Sequence, residues 1–340
     1  MRTYSNLPSI SVVIATYNRA HLIGATLDSF LRQSLPPNEI IVVDDGSTDE
    51  TEAEIARFGS RVRYLKQSNR GPGAARNAGL AVASGEFIQF FDSDDLASRN
   101  LLSAKAAALI ENGNFVGDMA YGPWLPVWID GETCRHDGVV RQSRAVEGDP
   151  VAAFCRGWLV LIQNCLVRRS LLEACGGYPT DLRTSEDKLL LLRMLQRSPR
   201  VRFTDEPLLL LRQHPEGQIS ASSKNRLERA RESVEFAVIA LQELERRGAE
   251  RENIRRWRAH VALARAAASR SGLAPQSIAV FEPGLLDIAR ARISSFARRA
   301  ELALSAHARG HRVHRTFAPG PVTPSTEALI RELGYEPIRK

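Results

Sequence analysis

Four short apolar runs punctuate the first hundred residues, and stretches with helical spacing separate them. Ile10–Ala15, Glu39–Val43, Val62–Leu65 and Phe87–Phe91 are four to six residues long and rich in β-branched or aromatic side chains. In Glu39–Val43 and Phe87–Phe91 that is the composition of strands buried on both faces. Between the first two runs, Leu22, Ala25, Thr26, Ser29 and Phe30 recur on one helical face, and the pattern stops near Pro36-Pro37. Thr48-Asp49-Glu50-Thr51-Glu52 opens a second helix with acids in its first turn, where the dipole favours them. Gly73–Ala83 reads as a helix of small residues. Strands and helices alternating in this way predict an α/β fold, a mostly parallel Rossmann-like sheet flanked by helices.

Two of the runs end in acids. Glu39–Val43 leads into Asp44-Asp45-Gly46-Ser47, and Phe87–Phe91 leads into Asp92-Ser93-Asp94-Asp95. Carboxylates at the C-terminal ends of parallel strands sit at the crevice where open α/β sheets bind ligands. Either cluster alone is ordinary turn or cap chemistry. Together, each closing a buried strand, they would repel one another unless a cation lay among them, and hard divalent metals prefer oxygen ligands. The pattern therefore predicts a site for Mg²⁺ or Mn²⁺ carrying a phosphate-bearing ligand.

Further along, Tyr121–Trp128 and the polar loop after it predict an antiparallel hairpin over this crevice. Leu166–Ala174 reads as a short helix ending at Gly176-Gly177, Asp187–Gln196 as another, and Leu208–Leu211 as an extended run toward His214. Trp124, Trp128 and Trp158 have faces that could stack on a sugar ring, with burial in the core as the commoner fate of such residues. After Ser223 the chain turns Ala- and Arg-rich. Leu227, Val234, Val238, Leu241 and Leu244 form one apolar stripe, Ile254, Trp257, Val261, Ala264 and Ala268 a second. Leu286, Ala289, Ile293, Phe296, Ala300 and Leu304 form a third. The expected organisation is a catalytic domain over residues 1–224 and a basic α-helical appendage over 225–340, with the last thirty residues partly irregular.

Composition changes this picture only in the C-terminal third. The 340 residues are 44% hydrophobic and 25% charged, ordinary for a globular protein. Residues 225–340 hold 21 Lys/Arg against 13 Asp/Glu, whereas residues 1–224 hold 25 against 26. The net charge of +7 therefore belongs to the helical region, either as the solvated face of Arg-rich helices or as a surface for anionic partners. No run approaches the ~20 apolar residues of a membrane span, and Met1–Pro8 lacks an apolar signal region. Cys134, Cys155, Cys165 and Cys175 lack metal-site spacing and read as reduced, mostly buried thiols. A cytoplasmic protein, peripheral to the inner membrane if its basic helices meet anionic lipid, is expected.

In order and spacing, four blocks resemble family 2 glycosyltransferases: Ser11–Arg19, Asp44–Asp49, Asn69–Gly79 and Asp92–Asp95. Gly176-Gly177-Tyr178-Pro179, Ser185-Glu186-Asp187 and Arg212-Gln213-His214 extend the likeness to about residue 220. The resemblance implies a GT-A fold and transfer of a sugar from a nucleoside diphosphate sugar to an acceptor hydroxyl, with inversion. It places Ala15 and Tyr17 at the nucleobase, Asp44 and Asp45 at the base edge, and Arg76 near the ribose or diphosphate. Asp92, Ser93 and Asp94 would meet the ribose and donor sugar. Asp94 or Asp95, with His214, would hold Mn²⁺ or Mg²⁺, whose task is to stabilise charge on the departing diphosphate.

Inversion needs a base on the face opposite the leaving group, and Asp187 with Glu186 beside it is the expected pair. An exposed Asp, with pKa ~3.9, is a weak base at neutral pH, and burial beside a second carboxylate raises it. The same Ser-Glu-Asp run also suits a helix start, so position among the other blocks carries the assignment. The implied partners are a nucleotide-sugar donor, with UDP expected as the family's commonest donor nucleotide, and a glycan or lipid-linked acceptor in surface polysaccharide or glycoconjugate synthesis. The apolar stripes suit packing against the catalytic domain and a homodimer equally well, and nucleic acid is not an expected partner. A non-catalytic nucleotide-sugar binding or scaffold protein is the alternative. A sugar-nucleotide pyrophosphorylase would want a Gly-rich basic loop after the first strand, and a dehydrogenase Gly-x-Gly-x-x-Gly; Thr16-Tyr17-Asn18-Arg19 is neither.

Overall fold

A computed structural model describes residues 7–142, 148–182, 184–205, 209–214, 226–271 and 318–339. Its central sheet has seven strands in the order β13-β8-β12-β4-β1-β2-β3. These are β1 Ile10–Thr16, β2 Glu39–Asp44, β3 Arg63–Lys66, β4 Phe87–Asp92, β8 Met119–Tyr121, β12 Cys165–Arg168 and β13 Val201–Phe203. The strands β1, β2, β3 and β4 are mutually parallel, and β12 runs antiparallel between β4 and β8.

Alternation along the buried runs decides what each face meets. Val13, Ile41, Val43, Ile88 and Phe90 point into one apolar core. Their neighbours Ile10, Val12, Ile14, Ile40, Val42, Phe87 and Phe91 point into another. Side chains on a strand change face at every residue, so an unbroken apolar run requires helices on both sides. The second face is covered by α1, Ala20–Leu31, through Ile23, Leu27 and Phe30, and by α4, Leu101–Leu109. On the first face, α3, Pro72–Val82, lies flush on β1. A Cβ on Gly79 would stand 2.3 Å from Val13 Cγ1, so only glycine allows that approach.

The chain steps outward from β1 through β2 to β3 and then returns to β4 on the other side of β1. That reversal is the switch point where such sheets bind ligands. Register completes the alignment: Thr16 pairs with Asp44, and Ala15 pairs with Asp92. Both acidic strand ends therefore reach one edge.

A second sheet, ordered β15-β11-β9-β10-β16, stands beside that edge. It comprises β9 Trp124–Asp130, β10 Thr133–His136, β11 Val139–Gln142, β15 Ala318–Pro321 and β16 Glu336–Arg339. Off this path, β14 Leu209–Arg212 pairs with β9 and with β5 Leu96–Ala97. The expected hairpin is thus β9–β10, and it belongs to a larger sheet. A small hairpin of β6 Ile110–Glu111 and β7 Asn114–Phe115 follows α4.

Three expectations differ from the structure. Leu166-Val167-Arg168, expected to begin a helix, lies in β12, because Leu166 and Val167 fill the gap between β4 and β8; the helix there is α6, Arg169–Ala174. The second helix, α2, begins at Thr51 rather than Thr48. Asp49 there accepts from the amides of Ala20 and Thr51. Residues 318–339, expected to be partly irregular, form β15, a helix and β16. Ile330 of that helix is fully buried among Leu96, Leu125, Val127, Cys134, Val140 and Leu210.

Helix α7, Glu186–Leu195, and α5, Pro150–Cys155, pack under the first face. The C-terminal helices are α8, Arg226–Arg246, α9, Arg251–Arg270, and α10, Pro324–Glu332, which carries Ile330. Phe236, Ala237, Ala240, Leu241 and Leu244 of α8 and Trp257 and Val261 of α9 share one core with Leu189–Leu192 of α7. The third apolar stripe, residues 286–304, lies outside the described residues. Trp124 is buried and Trp158 packs edge-on to Tyr121, the core role for both. All four cysteines are free, and three are buried. Among the described residues no helix is long and apolar enough to cross a membrane.

Beneath the sheet, Lys105 of α4 is fully buried and donates to Gln89 Oε1 at 3.0 Å. Burial pushes its pKa from the ordinary 10.5 down to about 7, since a charged ammonium loses its hydration there. Between those values the unfolded chain holds more protons than the folded one, so stability rises with pH across that window and is flat below it. Lys105→Met is expected to abolish the rise between about pH 7 and about pH 9, measured by urea midpoints.

Candidate active site

At the end of β1, Ala15 is half-buried between Val43 and Asp92, and Tyr17 just beyond it is 45% exposed. A ring presented this way is open to stacking on a planar ligand. The backbone then enters the left-handed region at Asn18, φ 51°. That residue's side-chain oxygen accepts from the Thr48 amide at 2.8 Å, tying the first loop to the second.

Asp44 and Asp45 are both buried and both occupied. Asp44 accepts from the Ser47 amide and from Tyr64 Oη, each at 2.8 Å. Asp45 accepts from Gln67 Nε2 at 2.7 Å and from the amides of Arg70 and Gly71 at 2.9 and 2.8 Å. Asp45 therefore organises the loop that leads into α3. Each carboxylate oxygen has two lone pairs, which leaves unused acceptor capacity on both.

Arg76, on α3, joins the two halves of the site. Its Nη2 donates to Asp92 Oδ1 at 2.8 Å and its Nη1 to Glu186 Oε1 at 3.1 Å. Its guanidinium lies 5.0 Å from the centre of the Tyr178 ring, a cation–π contact. Gly177 and Tyr178 are held in turn by Asn77, which donates to the Tyr178 carbonyl and accepts from its amide, each at 2.8 Å. Burial raises the Glu186 carboxyl, Asp187 adds repulsion, and Arg76 opposes both. Asp187 follows on the first turn of α7, and its Oδ1 accepts from the Lys188 amide at 2.8 Å. The negative charge of Asp187 is felt at Asp92 and at the Tyr178 phenol. Asp187 and the acidic strand end are therefore close enough to repel one another.

Asp92, Asp94 and Asp95 bring carboxylate oxygens within 4.8 Å of one another. Asp94 Oδ2 accepts from Arg19 Nε at 3.3 Å and lies 3.1 Å from His214 Nε2. Asp95 Oδ1 accepts from the Arg212 amide at 2.8 Å. The buried Arg212 guanidinium also donates to the Asp94 carbonyl, to Leu22 O at 3.0 Å and to Thr26 Oγ1 at 2.9 Å. Ser93 is buried, and its carbonyl accepts from Thr26 Oγ1 at 3.0 Å. Burial raises Asp95 strongly, and repulsion from Asp94 and Asp92 raises it further; burial and Asp94 raise Asp92 too. Three oxygen donors under mutual repulsion with an imidazole beside them suit a hard or borderline divalent cation. Such a cation fits the residues present.

The structure therefore gathers Ala15, Tyr17, Arg76, Asp92, Asp94, Asp95, Glu186, Asp187 and His214 around one crevice. Asp44, Asp45 and Ser93 stand behind it as supports of its loops. Reading by residue type missed three contributors: Arg19, Arg212 and Tyr178 all lay in the blocks quoted above without a role. For Arg212 the signal was an arginine closing an apolar strand, which marks a buried charge with partners to find.

Residues 11–128 match the sequence model of Glycosyl transferase family 2. The chain is 29% identical over 220 residues to the uncharacterized glycosyltransferase EpsJ of Bacillus subtilis, covering 62% of each chain. It is 28% identical over 222 residues to the poly(ribitol-phosphate) β-N-acetylglucosaminyltransferase TarS of Staphylococcus aureus, covering 63% of this chain and 37% of TarS. The matches thus span less than two thirds of these relatives' lengths. In structure, TarS 1–349 superposes with a TM-score of 0.56 at 21% identity, over 77% of this chain and 73% of that one. A TarS 1–349 complex with UDP-GlcNAc gives 0.53. The mannosyltransferase PcManGT of Pyrobaculum calidifontis, in complex with GDP-Man and Mn²⁺, gives 0.50 at 20% identity over 86% of each chain. At these identities the superpositions speak for the fold alone, and that fold is GT-A. Residues 11–128 thus carry a glycosyl transferase family 2 domain, and the chain is similar in sequence to named glycosyltransferases of that kind and in fold to GT-A enzymes.

Proposed function

We propose that the protein transfers a sugar from a nucleoside diphosphate sugar to an acceptor hydroxyl, in one inverting step with Asp187 as the base. One observation carries this reading. A single guanidinium, Arg76, ties the helix bearing Asp187 to the strand bearing Asp92, at 3.1 and 2.8 Å. A base and a donor-binding carboxylate held to one crevice by a common cation suit a reaction that needs attack and departure on opposite sides of one carbon.

In this reading Tyr17 stacks on the nucleobase, while Asp45 and the loop it holds approach the base edge. Asp92 and Asp94 meet the ribose and donor sugar. Asp94, Asp95 and His214 hold Mn²⁺ or Mg²⁺, with Asp92 close by. When bound, the cation stabilises negative charge on the departing diphosphate. Asp187 takes the proton of the acceptor hydroxyl, and Glu186 keeps Arg76 in place. The likeness to TarS, found both in sequence and in fold, supports a UDP-sugar as donor and a surface polysaccharide or other glycoconjugate as product. A glycan or a lipid-linked glycan is the acceptor class. Membrane contact through the basic helices finds less support, because Arg255 and Arg256 pair with Glu252, and Arg258 with Glu245.

Incubation with a panel of nucleotide sugars and Mn²⁺ or Mg²⁺, read as released nucleoside diphosphate, tests the assignment. Slow transfer to water from one UDP-sugar is expected, and Asp187→Asn is expected to reduce it by about 10²-fold or more while UDP still binds. Failure of every donor, with or without candidate glycan acceptors, would count against an enzyme.

Chelation supplies a second check. EDTA is expected to stop nucleotide release and added Mn²⁺ or Mg²⁺ to restore it, and Asp94→Asn is expected to raise the metal concentration needed. A third check concerns the shared cation. Arg76→Ala leaves the buried Glu186 and the half-buried Asp92 carboxylates without their partner, and is expected to destabilise the fold by about 3 kcal/mol and weaken donor binding. Thermal melts and calorimetric titration with UDP measure both.

A further inference from the structure

The C-terminal helical region has no part in the reaction as described so far, yet α8 lies against the turn that presents Asp187. Thr184 Oγ1 donates to Glu232 Oε2 of α8 at 2.9 Å. One turn on, the Lys188 ammonium lies 5.7 Å from the centre of the Phe236 ring, also on α8, and donates to Ser185 Oγ at 3.2 Å. Farther along, Arg193 Nη2 donates to Glu243 Oε1 at 3.0 Å, and Gln196 Nε2 to the Glu243 carbonyl at 3.1 Å. Glu243 is buried, and hydrogen bonds and charge from Arg193 and Arg246 outweigh the effect of burial and lower its carboxyl. Three points of polar attachment thus run the length of α7, above the apolar core that both helices share.

The turn itself needs holding. Ser185, the residue before α7, has φ 64° and ψ 14°, a left-handed conformation that a non-glycine residue adopts at a cost and that neighbouring contacts must maintain. The residues around it are tied on opposite sides. Glu186 is drawn inward by Arg76 at 3.1 Å, whereas Thr184 and Lys188 are drawn outward by Glu232 and Phe236. Asp187 sits between the two sets of tethers.

We infer that α8 is part of the catalytic apparatus, with Glu232 as a positioning residue that fixes the Thr184–Ser185 turn and so the direction of Asp187. The inference rests on the reading of Asp187 as the base. A turn free on its outer side would let the carboxylate swing while the strand ends that bind the donor stay in place. Removing the tether therefore lowers kcat and leaves donor KM alone, since the misplaced group acts on the acceptor proton and not on the nucleotide.

The test uses the full-length protein as wild type, Glu232→Ala, Glu232→Gln and Asp187→Asn. Amide hydrogen exchange over residues 184–189 is followed together with UDP release from UDP-N-acetylglucosamine in the presence of Mn²⁺. Glu232→Ala is expected to speed exchange in that segment about fivefold, the factor one hydrogen bond is worth. It is also expected to lower kcat about tenfold or more at unchanged donor KM. Glu232→Gln, which keeps a side-chain carbonyl as acceptor for Thr184, is expected to restore both. Unchanged exchange in Glu232→Ala overturns the inference whatever sugar the enzyme uses. Faster exchange with unchanged kcat overturns it as well. If Asp187→Asn keeps wild-type turnover, the base assignment falls instead, a result that the Glu232 variants cannot mimic.

Discussion

One arginine between two carboxylates holds this site together. Arg76 comes from a helix on one face of the sheet, Asp92 from a strand end and Glu186 from the helix that carries Asp187. A buried guanidinium needs anionic partners to offset its lost hydration, and each carboxylate needs the guanidinium for the same reason. Because Arg76 and Glu186 are largely withdrawn from water and Asp92 is half-buried, none can move without exposing the cost of the others. The Tyr178 ring beneath Arg76 and the Asn77 bonds to Tyr178 add neutral support on the remaining side. The result is a rigid link between the strand that leads to the Asp92–Asp95 cluster and the helix that carries Asp187.

The acidic triad depends on a different set of supports. Asp92 ends a strand of the central sheet, but Asp95 is held by the backbone of Arg212 in β14, a strand of the second sheet. Arg212 and His214 both leave that strand toward Asp94. The second sheet is in turn completed by residues from the far end of the chain, with β16 beside β10 and Ile330 in its core. Carboxylates that repel one another stay together because their surroundings over-determine them. Here the surroundings are a central sheet and a sheet closed by the C-terminus. The helices α8 and α9 belong to the same logic, since they share a core with α7.

Much of this was legible in residue order. Three of the runs became the buried strands β1, β2 and β4, because a run that is apolar on both faces has no solvent side and must lie in a covered sheet. The run with Arg63 became instead the edge strand β3, exposed at both ends. The acids that close β2 and β4 reached one edge, because parallel strands in register end together. Less was legible where partners were distant. Leu166-Val167 reads locally as helix, yet it fills a gap between β4 and β8 that only the assembled sheet presents. Residues 318–339 looked irregular because their strands are short and contain proline, and their structure comes from pairing with β10 and β11.

The sequence by itself determined the parallel strands, their acidic ends and the supply of carboxylates, arginines and a late histidine. It did so because strand pattern and residue chemistry are local properties. Only the tertiary structure decided the employment of each acid. Asp44 and Asp45 brace loops, Asp94 and Asp95 stand in a cluster with His214, and Glu186 anchors an arginine. A carboxylate's role follows from what its two oxygens meet, and the partners that decide it here lie as far as 120 positions away along the chain.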